Sequence, residues 1–208
     1  LLLLALPAFA QEDADCLSCH EDKSLKGTRG GKTISVFVNA NTHAGSVHGA
    51  NGCISCHADL AGKEFPHDED VVPVDCGGCH GPEKEEEAKS LHGQAASRGD
   101  KLAPLCKDCH GTHNILPKTD RNSPISALKI PFLCGKCHQE GAPVQRQRVI
   151  HQDNILENFS ESIHGEGLLR KGLIVAPNCA SCHTGHSILP HTNSASSIAR
   201  KNIASTCA

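Results

Sequence analysis

The chain has 208 residues and a formal net charge of −3, with acidic and basic residues interspersed. This balance gives no basic face for binding nucleic acid. Five Phe, no Trp, Tyr or Met, 19 Gly and 11 Pro supply little aromatic surface for a core and favour turns over long regular elements. The composition therefore predicts a mainly irregular fold with short α-helices and little β-structure.

The first ten residues are apolar and end in Ala8-Phe9-Ala10, ahead of a polar segment that starts at Gln11. An apolar run that ends in Ala-x-Ala has the pattern of the back half of a secretory signal peptide. Because no initiator Met or basic segment precedes it, we expect the sequence to be clipped at its front. A buried N-terminal helix is the alternative. We predict a residual signal peptide over 1–10 and one domain over 11–208.

Apolar and polar residues alternate from Lys32 to Asn39, behind a turn at Gly30-Gly31, which predicts a short strand. Pro82 followed by Glu83 to Leu91 predicts a helix that stops at Gly93.

Two more helices are expected further along the chain. Ser123-Pro124 has the composition of a helix start. From Asp153 to His164, apolar residues recur at helical spacing, with Asp153 as the expected cap and Gly165 as the expected end.

The motif Cys-x-x-Cys-His, the attachment signal for c-type haem, occurs six times. Two cysteines three apart lie about one helical turn from each other, so both can reach the vinyl groups on one side of a porphyrin. The adjacent histidine then presents its ring to the iron. The predicted thioether cysteines are Cys16, Cys19, Cys53, Cys56, Cys76, Cys79, Cys106, Cys109, Cys134, Cys137, Cys179 and Cys182. The predicted proximal ligands are His20, His57, His80, His110, His138 and His183.

Zinc is the main competitor for such cysteine pairs, since Cys-x-x-Cys also builds zinc ribbons. Zinc sites do not require a histidine directly after the second cysteine, and here it is present at all six motifs. The motifs therefore favour haem over zinc or disulfide bonds.

A shift of 73 residues superposes the segment 106–117 on the segment 179–190, and Cys134 on Cys207. Such a period indicates structural repeats. We predict modules at about 11–80, 81–138 and 139–208. Cys207, the thirteenth cysteine, is then the first cysteine of a truncated seventh haem site.

Each iron needs a sixth ligand, and the absence of Met leaves histidine as the expected one, with low reduction potentials. Three candidates recur in the context Ser-x-His-Gly: His48, His92 and His164. His113 and His186 recur three residues after a proximal histidine. Because that spacing makes the far face of their own porphyrin hard to reach, we expect them to ligate a neighbouring haem.

The remaining histidines are less distinctive. His67 is the matching distal candidate in the first module. His43 and His151 stay open between iron ligand and surface residue, and His191 is expected at the surface.

From Cys16 to Cys207, the chain combines Ser-x-His-Gly with Cys-x-x-Cys-His-x-x-His-x-Ile-Leu-Pro and a further Cys-x-x-Cys-His. This combination resembles the bacterial multihaem c-type cytochromes, exported proteins of anaerobic respiratory and metal-reducing bacteria. The resemblance implies haem c cofactors that form the core and relay electrons through bis-histidine irons. It implies a place in the periplasm, at the outer face of the cytoplasmic membrane or outside the cell. The implied partners are redox proteins, such as a quinone-linked cytochrome b module or outer-membrane cytochromes.

A second function is a multihaem reductase of the nitrite, hydroxylamine or tetrathionate type. Such enzymes need an iron with an open sixth position, which relatives often mark with a Lys-terminated haem motif or a catalytic Tyr. All six motifs end in His and the chain has no Tyr. We therefore expect an electron carrier, with the reductase as alternative if its catalytic haem lies outside this fragment.

Overall fold

The computed structural model describes residues 11–148 and 152–208. The predicted signal peptide and His151 lie outside these ranges. The chain divides into two compact units between Asp75 and Cys76. The first unit carries two Cys-x-x-Cys-His motifs and the second carries four.

The first unit is built from short elements around one β-hairpin. Its elements are α1 (Asp13–His20), β1 (Lys26–Arg29), β2 (Lys32–Ser35), α2 (Ala40–Ala44), α3 (Cys53–Cys56) and a 3₁₀ turn (Ala58–Leu60). β1 and β2 pair antiparallel, with Arg29 opposite Lys32. Gly30 and Gly31 form the two-residue turn at φ 56° and 74°, a conformation that glycine adopts without strain.

The predicted strand is confirmed but ends earlier than expected, at Ser35. Beyond Ser35 the backbone turns to α1: the Val38 N–H donates to the His20 carbonyl at 2.7 Å. The strand stops there because the backbone beyond Ser35 bonds to the end of α1 instead of to β1.

The second unit contains short helical elements joined by turns. They are a 3₁₀ turn (Cys76–Gly78), α4 (Gly81–Lys89), α5 (Leu91–Ser97), α6 (Cys106–His110), α7 (Ile130–His138), α8 (Pro143–Gln147), α9 (Ile155–Glu161), α10 (Ile163–Gly165), a π-helical turn (Glu166–Arg170), α11 (Cys179–His183) and α12 (Ile203–Cys207). The predicted fold class, mainly irregular with short helices and little β-structure, is confirmed. None of the helices in the described ranges has the length and apolarity to cross a membrane.

The two long helices predicted from the sequence are each broken at the serine of Ser-x-His-Gly. Ser90 and Ser162 are extended, at ψ 166° and 161°, and each starts a new helix. Their hydroxyls accept hydrogen bonds from the N–H groups of Gly93 and Gly165, at 3.0 and 3.1 Å. The predicted continuous helices are therefore wrong, because an N-cap serine favours a helix start over a helix interior.

The predicted ends of these helices are wrong as well. Gly93 lies inside α5, and Gly165 is followed by a π-helical turn that continues to Arg170. The second helix also starts later than predicted. α9 begins at Ile155, and the residue before it is Asn154 rather than Asp153.

The glycine of Ser-x-His-Gly is required by a close approach of two backbone segments. A Cβ at Gly93 would lie 2.1 Å from the Glu87 carbonyl oxygen, and one at Gly165 would lie 2.0 Å from that of Phe159. The first copy is similar, since a Cβ at Gly49 would lie 2.2 Å from the Ala44 carbonyl oxygen. The new helix turns back onto the end of the previous one, and only glycine fits.

Gly93→Ala and Gly165→Ala should each lower the free energy of unfolding by about 2 kcal/mol, because backbone must move to admit the methyl group. Gly81→Ala is the matched control, since a Cβ there meets nothing within 4 Å. Denaturant unfolding of the haem-loaded protein measures the change. Equal stability of all three variants would contradict the close-approach explanation.

Ser123 does not start a helix, so that prediction is also wrong. Its hydroxyl is buried and donates to the Leu116 carbonyl at 3.2 Å. The residues related by the 73-residue shift repeat this bond, since the Ser196 hydroxyl donates to the Leu189 carbonyl at 3.0 Å. These serines close the loop that follows Ile-Leu-Pro.

The residue after the haem motif also adopts the same conformation in both repeats. Gly111 has φ 84° and ψ −166°, and Thr184 has φ 66° and ψ 175°. This region is populated almost only by glycine, and it costs another residue roughly 1–3 kcal/mol. Thr184 therefore holds the backbone next to His183 under strain.

Thr184→Gly should raise the free energy of unfolding by about 1 kcal/mol, the relief of strain exceeding the entropy cost of glycine. The reciprocal change, Gly111→Thr, should lower it by about 1–3 kcal/mol. The shift in the guanidinium midpoint checks both. A stabilising Gly111→Thr would show that this conformation is not required.

The described residues bury few apolar side chains. Within them the buried apolar side chains are Ala142, Leu168, Ala199 and Pro131. Large apolar residues are exposed in both units, among them Phe65, Phe132 and Val175. The polypeptide alone therefore supplies little of the apolar burial that usually stabilises a domain.

Candidate haem-binding sites

Short helices present most of the Cys-x-x-Cys-His motifs. α1 and α7 end on the motif histidine, whereas α3, α6 and α11 begin at the first cysteine. The third motif starts with the 3₁₀ turn at Cys76. Residues three and four apart share one face of a helix, so both thiols and the imidazole project to the same side. This arrangement suits attachment to one porphyrin.

The thirteen cysteines, all within the described ranges, form no disulfide bonds with one another. Over the same residues, no group of three or more His, Cys, Asp or Glu side chains is arranged to hold a metal ion.

Three motif histidines each face a histidine from outside the motifs. The ring centres of His20 and His67 are 6.0 Å apart with 12° between their planes. Those of His138 and His92 are 6.1 Å apart at 34°. Those of His110 and His186 are 6.0 Å apart at 23°. In each pair, one predicted proximal ligand thus meets one predicted distal candidate.

The separation of these rings fits one metal ion between them. An imidazole nitrogen binds a metal at about 2 Å, and it lies about 1.1 Å from its ring centre. Two imidazoles on opposite sides of one iron therefore have ring centres about 6 Å apart. The three pairs have this spacing, so their residues fit haem iron.

In the His20–His67 pair, the tautomer of each ring leaves Nε2 available to bind iron. Nδ1 of His20 lies 2.7 Å from the Val36 carbonyl oxygen, and Nδ1 of His67 lies 2.8 Å from that of Asp68. A carbonyl can only accept, so each Nδ1 carries the proton and each Nε2 keeps a lone pair. Metal-binding histidines are oriented in this way by a second partner.

Burial favours the metal-binding form of three rings in the other two pairs. It lowers the pKa of His92, His110 and His138, and the neighbouring ring acts in the same direction in the first two. For His138 the second influence is the charge of His183. Neutral imidazole is the metal-binding form.

Comparisons with known proteins agree with this geometry. The family model "Cytochrome c-type protein NrfB-like" matches residues 16–98. The high-molecular-weight cytochrome c of Nitratidesulfovibrio vulgaris is 29% identical over 182 residues, which cover 81% of this chain. The chain is thus similar to bacterial multihaem c-type cytochromes. It spans 31% of the length of that relative, and no solved structure matches it.

The motifs would hold haem c through thioethers, the cofactor of the cytochromes that the chain resembles. When bound, the haem supplies an iron that gains or loses one electron. The chain supplies the thiols, the imidazoles and the contacts that orient them.

Contacts between distant segments fix the loop that carries His186 to α4 and to the start of α5. The Leu91 N–H donates to the Ile188 carbonyl at 2.8 Å. The Ser187 hydroxyl donates to the Glu86 carboxylate at 3.2 Å. The segment that follows the sixth motif is thus fixed to the helices that precede the fourth.

The other distal candidates have varied surroundings. His43 lies in α2, and His48 lies in the turn that ends at Gly49. His113 and His164 are exposed, the first after α6 and the second in α10. His191 is exposed, as expected. Cys207 ends α12 and interacts electrostatically with Cys182.

The sequence did not predict the role of Asp13, which joins the first two motifs of the chain. Its carboxylate accepts from the Cys53 N–H at 2.7 Å, and this bond lowers the pKa of Asp13. Asp13 lies in α1 and Cys53 begins α3, so the carboxylate caps the second motif helix from the first. No local signal in the sequence marks this contact, because forty residues separate the partners.

Proposed function

We propose that the chain carries six haem c groups with mostly bis-histidine irons and relays electrons between partner proteins in anaerobic or extracellular respiration. The observation that carries the proposal is the set of three histidine pairs, each joining a motif histidine to another histidine at about 6 Å. In this proposal His67 ligates the first haem, His186 the fourth and His92 the fifth.

Six-coordinate irons suit a relay. A bound haem iron would cycle between Fe(III) and Fe(II), taking up one electron and passing one on, with both histidine ligands kept. Two imidazole ligands favour low reduction potentials. Two imidazoles also fill both axial positions of the iron and leave none for a substrate, which distinguishes a carrier from a reductase.

The remaining sites follow from the sequence pattern. His48 and His164 are proposed as distal ligands through their Ser-x-His-Gly context, and His113 through its offset from His110. His43 and His151 are the remaining candidates. Cys207 belongs to a seventh site, because the 73-residue shift places it on Cys134, the first cysteine of the fifth motif.

The location and partners are also proposed. The apolar run over 1–10 supports export, and thioether formation in bacteria takes place outside the cytoplasm. We place the cytochrome in the periplasm, at the outer face of the cytoplasmic membrane or outside the cell. Its partners are redox proteins, a quinone-linked cytochrome b module or outer-membrane cytochromes among them.

Expression with an export signal in a host that attaches haem c should give six haems per chain. Mass spectrometry of the denatured protein counts them, and a thiol reagent should then label one cysteine, Cys207. Cys207→Ala is the control: it should keep all six haems and lose the label. A count below six would contradict the proposed number.

His67→Ala, His92→Ala and His186→Ala should each open one iron while all covalent haems remain. The high-spin fraction should rise by about one sixth of the haem, with matching carbon monoxide binding after reduction. His191→Ala, at an exposed position, should change neither. An unchanged visible spectrum in any of the three variants would remove that histidine from the proposed ligands. High-spin haem in the unaltered protein would favour a reductase.

A further inference from the structure

One backbone hydrogen bond joins the segments that carry the distal ligands proposed for two different haems. The Leu91 N–H donates to the Ile188 carbonyl at 2.8 Å. Leu91 directly precedes His92, and Ile188 lies two residues after His186. These two histidines are the ligands proposed for the fifth and fourth irons, and each faces a motif histidine at about 6 Å. The bond therefore ties one distal ligand to the other.

The donor of this bond is held by the start of α5. Ser90 caps that helix: its hydroxyl accepts from the Gly93 N–H at 3.0 Å, and its carbonyl accepts from the Gln94 N–H at 3.0 Å. Leu91 is the first residue of the helix, and the first N–H groups of a helix have no acceptor within it. The Leu91 N–H is thus available to a partner outside α5, at a place fixed by a buried serine.

A side-chain contact holds the same loop at the neighbouring residue. The Ser187 hydroxyl donates to the Glu86 carboxylate at 3.2 Å, and Glu86 lies in α4, directly before α5 in the chain. Ser187 follows His186 in the sequence. The segment that carries His186 therefore has two anchors within two residues of its imidazole, one on each of these helices.

We propose that three residues, Leu91, Glu86 and Ser187, position the distal ligand of the fourth haem. They hold His186 at the iron and so keep that iron closed to small ligands. This inference rests on the proposed function, in which His186 ligates the fourth iron and His92 the fifth. Loss of an anchor should release His186 and leave His92 in place, because His92 is held by its own capped helix.

Carbon monoxide binding to the fully reduced holoprotein tests the role of Leu91. Carbon monoxide can take an axial position only after a histidine has left it, so its affinity measures how often His186 is released. Leu91→Pro removes the N–H and keeps α5, because proline fits the first position of a helix and the residue before it is already extended, at ψ 166°. Loss of one hydrogen bond should raise the carbon monoxide affinity of one haem about fivefold. Leu91→Ala is the matched control, since it keeps the N–H and should leave the affinity unchanged.

Ser187→Ala tests the second anchor and decides the question if Leu91→Pro fails to fold. It should also raise the carbon monoxide affinity of one haem, and so should Glu86→Ala. Glu86→Gln keeps an oxygen that can accept the Ser187 hydroxyl, and it should behave like the unaltered protein. Unchanged affinity in both Leu91→Pro and Ser187→Ala would overturn the inference.

Double variants identify the iron that is concerned. With His186→Ala the fourth iron is already open, so adding Leu91→Pro should change nothing further. With His92→Ala the fifth iron is open, and adding Leu91→Pro should still weaken the closure of a second site. An equal effect of Leu91→Pro in both backgrounds would place it at another haem, which overturns the inference and leaves the proposed function intact. A His186→Ala protein with the spectrum of the unaltered protein would instead contradict the proposed function.

Discussion

Few apolar side chains of this chain are buried against one another, and the stability of the whole fold depends on how this is compensated. Burial of apolar surface is the main favourable contribution to folding. Here the buried apolar side chains of the described residues are two alanines, Leu168 and Pro131. Haem c is a large apolar group, and the proposed sites would hold it covalently beside the fold's short helices. On this proposal, the exposed Phe and Val side chains are the surfaces available to cover it.

A chain with so little core relies on local hydrogen bonds to fix its shape. Serine hydroxyls do this in two ways, as N-caps at Ser90 and Ser162 and as loop closures at Ser123 and Ser196. Each arrangement occurs in both repeats. The caps start the helical turns that carry His92 and His164, and so the serines set where those imidazoles lie.

The sequence predicted the fold class and the haem chemistry because both depend on composition and on motifs of five residues. It did not predict the helix breaks at Ser90 and Ser162, since the apolar and helix-forming residues continue across them. β1 was also missed, because Lys26–Arg29 shows no alternation of apolar side chains. The sequence did not predict which distant residues pair, because no local pattern links His20 to His67 or Asp13 to Cys53.

The pairing of His110 with His186 has a consequence for maturation. If the chain is exported as proposed, it crosses the membrane from its N-terminus, so the fourth motif emerges 73 residues before the corresponding part of the sixth. With the proposed pairing, the fourth iron would gain its second ligand, His186, only after the sixth motif has also crossed the membrane. The fifth iron would gain both ligands as soon as its own motif has crossed, because His92 precedes that motif. The order in which the sites are completed would therefore differ from the order in which they are attached.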